Sequence, residues 1–87
     1  MSVNEEIKKA MKENAIVLGS RMVQKMLKNS ELKSVIFANN APEVTRKDLE
    51  YYSNNFGADV KGFEGNSRQL GEFCGKPFNI LVLGVKK

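Results

Sequence analysis

Hydrophobic and polar positions follow one another along the chain in two rhythms, one helical and one strand-like. Near the start, Ile7, Ala10 and Met11 recur at helical spacing and predict a first helix over residues 3–14. Ser2 with Glu5 has the form of a capping box, and Asn14 is a natural stop because Asn tolerates left-handed backbone. Ala15-Ile16-Val17-Leu18 is a short β-favouring run. Gly19-Ser20 then turns the chain into a second helix over residues 20–29. On a wheel of about 100° per residue, Met22, Val23, Met26 and Leu27 share one face, while Gln24, Lys25 and Lys28 gather around Arg21 on the other. The pattern predicts that Met22 and Met26 are core residues.

Ser34-Val35-Ile36-Phe37-Ala38 is nearly continuous apolar sequence, as in a buried central strand, and Asn39-Asn40-Ala41-Pro42 ends it in a polar turn. Thr45-Arg46-Lys47-Asp48 is a second capping-box pattern. It opens a third helix to about Asn55, with Leu49, Tyr52 and Phe56 as its apolar stripe. A short strand is expected around Val60, within Ala58 to Phe63. After the loop Glu64-Gly65-Asn66-Ser67, either Asn66 or Ser67 caps a fourth helix over residues 67–74, which buries Leu70, Phe73 and Cys74. Gly75 and Lys76-Pro77 stop that helix, and Asn79 to Val85 is the last strand. Strands alternating with helices, with no linker or repeat, predict one domain over residues 1–87. The expected fold class is α/β: a three-layer α/β/α sandwich on a small four-stranded mixed sheet.

Composition removes most chemistry. The 87 residues include no His and a single Cys, so Ser-His-Asp, Cys-His and His-metal sites cannot be assembled within one chain. Asp48, Glu50, Glu64 and Glu72 form no pattern that argues for acid–base catalysis. The expectation is a protein that is not an enzyme and uses no cofactor or metal, with Cys74 as an inert buried thiol. The longest apolar run, Ile80 to Val85, is interrupted by Gly84 and is too short to cross a membrane. The first residues are acidic and lack the apolar stretch of a signal peptide, so a cytoplasmic location is expected.

The charge is mildly basic, with 14 Lys and Arg against 10 Asp and Glu. Its distribution says more: from Asn14 to Ser30 there is no acidic residue at all. This makes the Gly-led start of the second helix the first candidate for binding. The unpaired N–H groups of a helix start suit a phosphate, and Gly19 lets a partner backbone come close. Arg21 and Lys25, one turn apart on the polar face, add charge-assisted bonds. The same residues also describe a solvated basic helix face. A second candidate is Phe63-Glu64-Gly65-Asn66-Ser67-Arg68, an aromatic beside a loop that can stack on an unpaired base, or simply a buried Phe before a capped helix. A third is Asn39-Asn40, at the carboxyl end of the central strand, where ligands of α/β sheets collect and where turns also form. Whether these three share a rim depends on strand order.

Taken together, Leu18-Gly19-Ser20-Arg21-Met22-Val23-Gln24-Lys25, Val35 to Pro42, and Phe63 to Gly71 with Cys74-Gly75-Lys76 resemble the L-thirty-e ribosomal proteins, within the L-seven-Ae superfamily of kink-turn binders. Asp48-Leu49-Glu50-Tyr51-Tyr52 resembles the third helix of the same proteins. The resemblance implies the sandwich already derived and a non-enzymatic protein of the large ribosomal subunit. Its expected partner is rRNA, bound at a kink-turn or similar internal loop, and it is expected to be a monomer when free. It further implies that Gly19, Ser20, Arg21, Gln24, Lys25 and Lys28 face the kinked groove. Phe63, Gly65, Asn66, Ser67 and Arg68 would cover the extruded nucleotide, with Asn39 and Asn40 beside the RNA. The L-seven-Ae branch carries an Asn-Glu pair where this chain has Arg21-Met22, and Met22 cannot accept a hydrogen bond from a guanine. That departure points to the L-thirty-e branch. A free-standing kink-turn binder, a subunit of another ribonucleoprotein, and an adaptor without RNA are the alternatives. The small core also suggests that part of the recognition loop orders only on RNA or the ribosome.

Overall fold

The computed structural model describes residues 3–87, except for the side chain of Ser20. The expected capping box at Ser2 lies outside the described residues. The elements are α1 (Val3–Lys12), β1 (Ile16–Leu18), α2 (Ser20–Lys28), β2 (Leu32–Phe37), α3 (Glu43–Phe56), β3 (Asp59–Gly62), α4 (Ser67–Phe73) and β4 (Val82–Lys86). The strands form one mixed sheet in the order β1-β4-β2-β3. β2 and β3 are parallel, and β4 runs antiparallel to both β1 and β2. β1, β2 and β3 therefore all point the same way, and their carboxyl ends share one rim.

Helices cover both faces of the sheet. On one face Ile7 and Ala10 of α1 and Leu70 of α4, with Cys74 just past it, pack on Ile36, Leu83 and Val85. On the other, Val23 and Leu27 of α2 and Leu49 of α3 pack on Val35, Phe37 and Val82. The alternation of side chains along a strand explains this division. Leu32 would break the alternation, but a bulge between Leu32 and Ser34 in the pairing with β4 puts it on the α2 and α3 side. Cys74 is buried, and burial pushes its thiol pKa up, as suits a packing residue.

Several expectations are corrected. Met22 is 49% exposed rather than core. The buried arc of α2 is centred between Val23 and Leu27, and Met22 sits about 120° round the wheel from that centre. The third helix starts at Glu43, not near Thr45: Pro42 is its N-cap with φ −57°, and no side chain caps it. Pro holds the φ needed at a helix start, which makes the Thr45 capping box unnecessary. The last strand starts at Val82 rather than Asn79. Before it, the Ile80 N–H donates to the Ser67 carbonyl and the Leu81 carbonyl accepts from the Ala38 N–H, so this stretch ties down the rim.

One buried charge had no sequence signature. Glu6, on the inner side of α1, is 5% exposed and accepts hydrogen bonds from Ser34 of β2 and Lys61 of β3. Burial alone would raise its pKa. The hydrogen bonds from Lys61 and Ser34, then the charges of Lys61 and Lys33, outweigh burial and hold the carboxyl below its ordinary value.

Candidate nucleic-acid interface

The three candidate segments meet at the rim where β1, β2 and β3 end. Gly19 follows β1 and is the N-cap of α2, with φ 92° and ψ 141°. L side chains rarely adopt this conformation, so the sharp strand-to-helix turn requires Gly. Its N–H donates to the Val82 carbonyl at 3.2 Å, and its carbonyl accepts from the Val23 N–H at 3.0 Å. Among the described residues, no side chain caps α2, and no acid occupies its first turn. The N–H groups of that turn are therefore left for an external acceptor, with the positive end of the helix dipole behind them.

Arg21 and Lys25 are exposed on α2 and Gln24 is half-buried. The Ser20 side chain lies outside the description. Lys28 belongs to a different place. Its Nζ stands over the Tyr52 ring at 5.1 Å from the centroid, in the last turn of α2, about 10 Å along the axis from Arg21.

The turn after β2 and the loop before α4 are locked to each other. The Asn39 N–H donates to the Gly65 carbonyl at 2.8 Å. The Asn40 amide bonds at both ends: its oxygen accepts from the Ser67 N–H at 2.8 Å, and its Nδ2 donates to Ser67 Oγ at 3.1 Å. Asn66 is the N-cap of α4 in a complete capping box with Gln69. The loop expected to order on its partner is thus tied by hydrogen bonds within the protein. Asn40, Asn66 and Ser67 use their polar atoms to hold the rim.

Phe63 is the main correction at the site. Its ring is 8% exposed and packs against Phe73 at 5.6 Å between centroids. It offers no open face to a base, because residues at the strand end point into the α1 and α4 core. Gly65 is buried against that ring, and a Cβ there would lie 2.8 Å from Phe63 and from the Gln69 amide oxygen. Arg68 is exposed and pairs with Glu72 one turn on.

The exposed aromatic of the rim is Phe78. It is 51% exposed, and Leu81 beside it is 40% exposed. Both line an open groove of ≈ 720 Å³, with Leu18, Gly19, Asn40, Pro42, Thr45 and Ser67 among the other walls. Sequence reasoning missed Phe78 because Lys76-Pro77 marked only the end of a helix. A large apolar residue just past a Gly-x-Pro stop, outside either periodic pattern, was the available signal. Gly71 fixes this segment: a Cβ on it would stand 2.1 Å from the Phe78 carbonyl oxygen.

Among the described residues, no three His, Cys, Asp or Glu groups converge as metal ligands. Nor is any described helix long and apolar enough to cross a membrane. Among the described residues, the rim offers uncapped N–H groups, the exposed cations Arg21 and Lys25, and an apolar-walled groove, an arrangement suited to binding an anionic, partly apolar ligand.

Comparison with known proteins agrees with this picture. The chain is 36% identical over 84 residues to the large ribosomal subunit protein eL30 of Zea mays, covering 97% of this chain and 75% of that protein. It is 34% identical to eL30 of Oryza sativa, with 97% and 76% covered. These relatives are ribosomal proteins, not enzymes. Its backbone superposes with a TM-score of 0.86 on the 15.5kD RNA binding protein of Giardia lamblia, at 21% identity, covering 98% of this chain and 71% of that one. A protein of unknown function from Bacillus halodurans superposes with a TM-score of 0.85 at 27% identity, with 97% and 83% covered. The match extends over residues 1–87, and the chain belongs to the ribosomal protein L7Ae/L30e/S12e/Gadd45 family.

Proposed function

We propose that this chain is an RNA-binding protein of the large ribosomal subunit, of the L30e type, and that it grips a kinked internal loop of rRNA along the groove rim. It acts as one domain over residues 1–87, binds as a monomer, and works on the cytoplasmic ribosome. The observation that carries the reading is the convergence of three loops at one edge of the sheet. The parallel course of β1, β2 and β3 brings the uncapped start of α2, the Asn39-Asn40 turn and the 65–68 loop around a single groove.

The roles follow from the chemistry of each group. The N–H groups at the start of α2 receive a phosphate or base edge, with Arg21 and Lys25 adding charge. Gly19 gives the RNA backbone a close approach. The Phe78 ring and the Leu81 side chain meet the face of an unstacked base, the contact that suits an exposed aromatic beside a loop-lined groove. Met22, exposed on the first turn of α2, adds an apolar contact with a sugar or base face. The family membership and the eL30 names of the relatives support the ribosomal part of the reading.

A gel-shift titration with a kink-turn stem-loop and a straight duplex of equal length tests it. The kinked RNA is expected to bind much more tightly, and equal affinities would sink the claim of kink recognition. Arg21→Ala and Lys25→Ala should each weaken binding and shallow the log–log salt slope by about 1.

A further inference from the structure

We propose that the pole of the sheet opposite the groove is a second RNA-backbone binding surface, built by Lys9, Lys33, Lys86 and Lys87, so that the protein bridges two RNA segments. The inference rests on the reading of the chain as RNA-binding, though not on the kink. Lys33 is the second residue of β2, at the bulge, and is the one exposed residue of a strand whose other positions are all buried. Lys86 ends β4 opposite Leu32, and its N–H donates to the Ala15 carbonyl at 2.8 Å. The Lys87 N–H donates to the Glu31 carbonyl at 3.1 Å. Lys9 comes from the last turn of α1. All four exposed lysines border one open recess of ≈ 120 Å³. Six residues of β2 separate this pole from the groove rim, about 17 Å.

The lysines at this pole make no direct pair: Lys33 acts on the buried Glu6 carboxylate only through space. Lys47 pairs with Glu43 and Lys61 with Glu6, while Lys8 stands over Phe73 and Lys28 over Tyr52. Among the described residues, none of the four lysines at the pole has an ion pair or an aromatic partner. Two carboxylates line the recess. Glu6 is buried and committed to Ser34 and Lys61, which leaves Glu13 as the exposed one. The dipole of α1 favours a cation at Lys9 but does not reach Lys33 or Lys86. Gathering like charges on a small domain is unfavourable without a polyanion to neutralise them.

Lysines, with their flexible stems and point charges, suit phosphates and do not read base edges. The exposed large apolar residues, Met22, Val44, Tyr51, Phe78 and Leu81, all lie elsewhere. A protein partner would want large apolar side chains at the centre of its interface, and the apolar lining of this recess is only Ala10, Ala15 and the buried Val85. The surface therefore fits an RNA backbone of any sequence.

The test saturates the protein with a kink-turn stem-loop at low salt and then titrates a labelled plain RNA duplex. A ternary complex is expected. Lys9→Ala/Lys33→Ala/Lys86→Ala should keep the first complex and weaken capture of the duplex about tenfold or more, with a salt slope shallower by about 3. A circular-dichroism melt of the triple variant that matches the parent rules out unfolding as the cause. With the kinked RNA bound, failure to capture the duplex, or its undiminished capture by the triple variant, overturns the proposal. If the kinked RNA fails to bind but the duplex binds through these lysines, the groove reading falls and this one stands.

Discussion

At the scale of single residues, the site turns on positions where only one residue type fits. Gly19 has φ 92°, and a Cβ there would meet nothing within 4 Å. The penalty for a larger residue is therefore backbone strain alone. Gly19→Ala should cost about 1–3 kcal/mol of stability, read from the urea midpoint, and weaken RNA binding as the start of α2 swings away. An unchanged midpoint would mean that the turn tolerates L residues. Gly19, Arg21 and Lys25 were legible from the sequence because a Gly at a strand-to-helix junction and a charge asymmetry are local signals. Phe63 was singled out and Phe78 passed over, since both are aromatics beside turns and only the packing of α4 decides which ring is covered. Glu6 was invisible for the same reason, as nothing nearby in sequence announces Ser34 or Lys61. Its lowered pKa implies stability that is fully present above the ordinary carboxyl value of 4.5 and is lost as pH falls through the folded value. Glu6→Gln should lower the urea midpoint at neutral pH and flatten its fall on acidification. An equally steep fall in the variant would show that other carboxylates carry the acid sensitivity.

At the scale of elements, the order of helices and strands followed from periodicity, while their ends were set by partners distant in the chain. Pro42 moved the start of α3 forward, and hydrogen bonds to the rim delayed β4 to Val82. Asn14, with φ 55°, and Gly75, with φ 71°, end their helices in the left-handed conformation that their residue types suggest. The packing of α4 against the segment that carries Phe78 is the element contact on which the proposed binding most depends. Gly71 makes it possible by letting the Phe78 carbonyl press onto the helix. Gly71→Ala should destabilise the protein by about 1–3 kcal/mol through overpacking and reduce RNA affinity by displacing Phe78. A variant with lowered stability but full affinity would separate Phe78 from the recognition surface.

At the scale of the whole molecule, the sequence predicted layers but not neighbours. A continuous apolar run such as Val35-Ile36-Phe37 says that both faces of a strand are covered, without naming the strands beside it. The placement of β4 between β1 and β2 was therefore not legible, and it is what gives the rim its shape. The sheet's edges are modest: β1 has three residues, and β3 carries Asp59 and Lys61. The position of β4 also orders the molecule in time. The first two strands to leave a ribosome during synthesis lack the strand that joins them, because β4 is the last of the four strands to be made. Until residues 82–86 arrive, β1 and β2 both keep an open edge, and the apolar faces of Val82, Leu83 and Val85 are missing from the two cores. Completion of the sheet must wait for β4, as expected where distant pairings dominate. A chain ending at Leu81 should show no cooperative unfolding transition by circular dichroism. A sharp transition in that fragment would mean that the other elements assemble without their central strand.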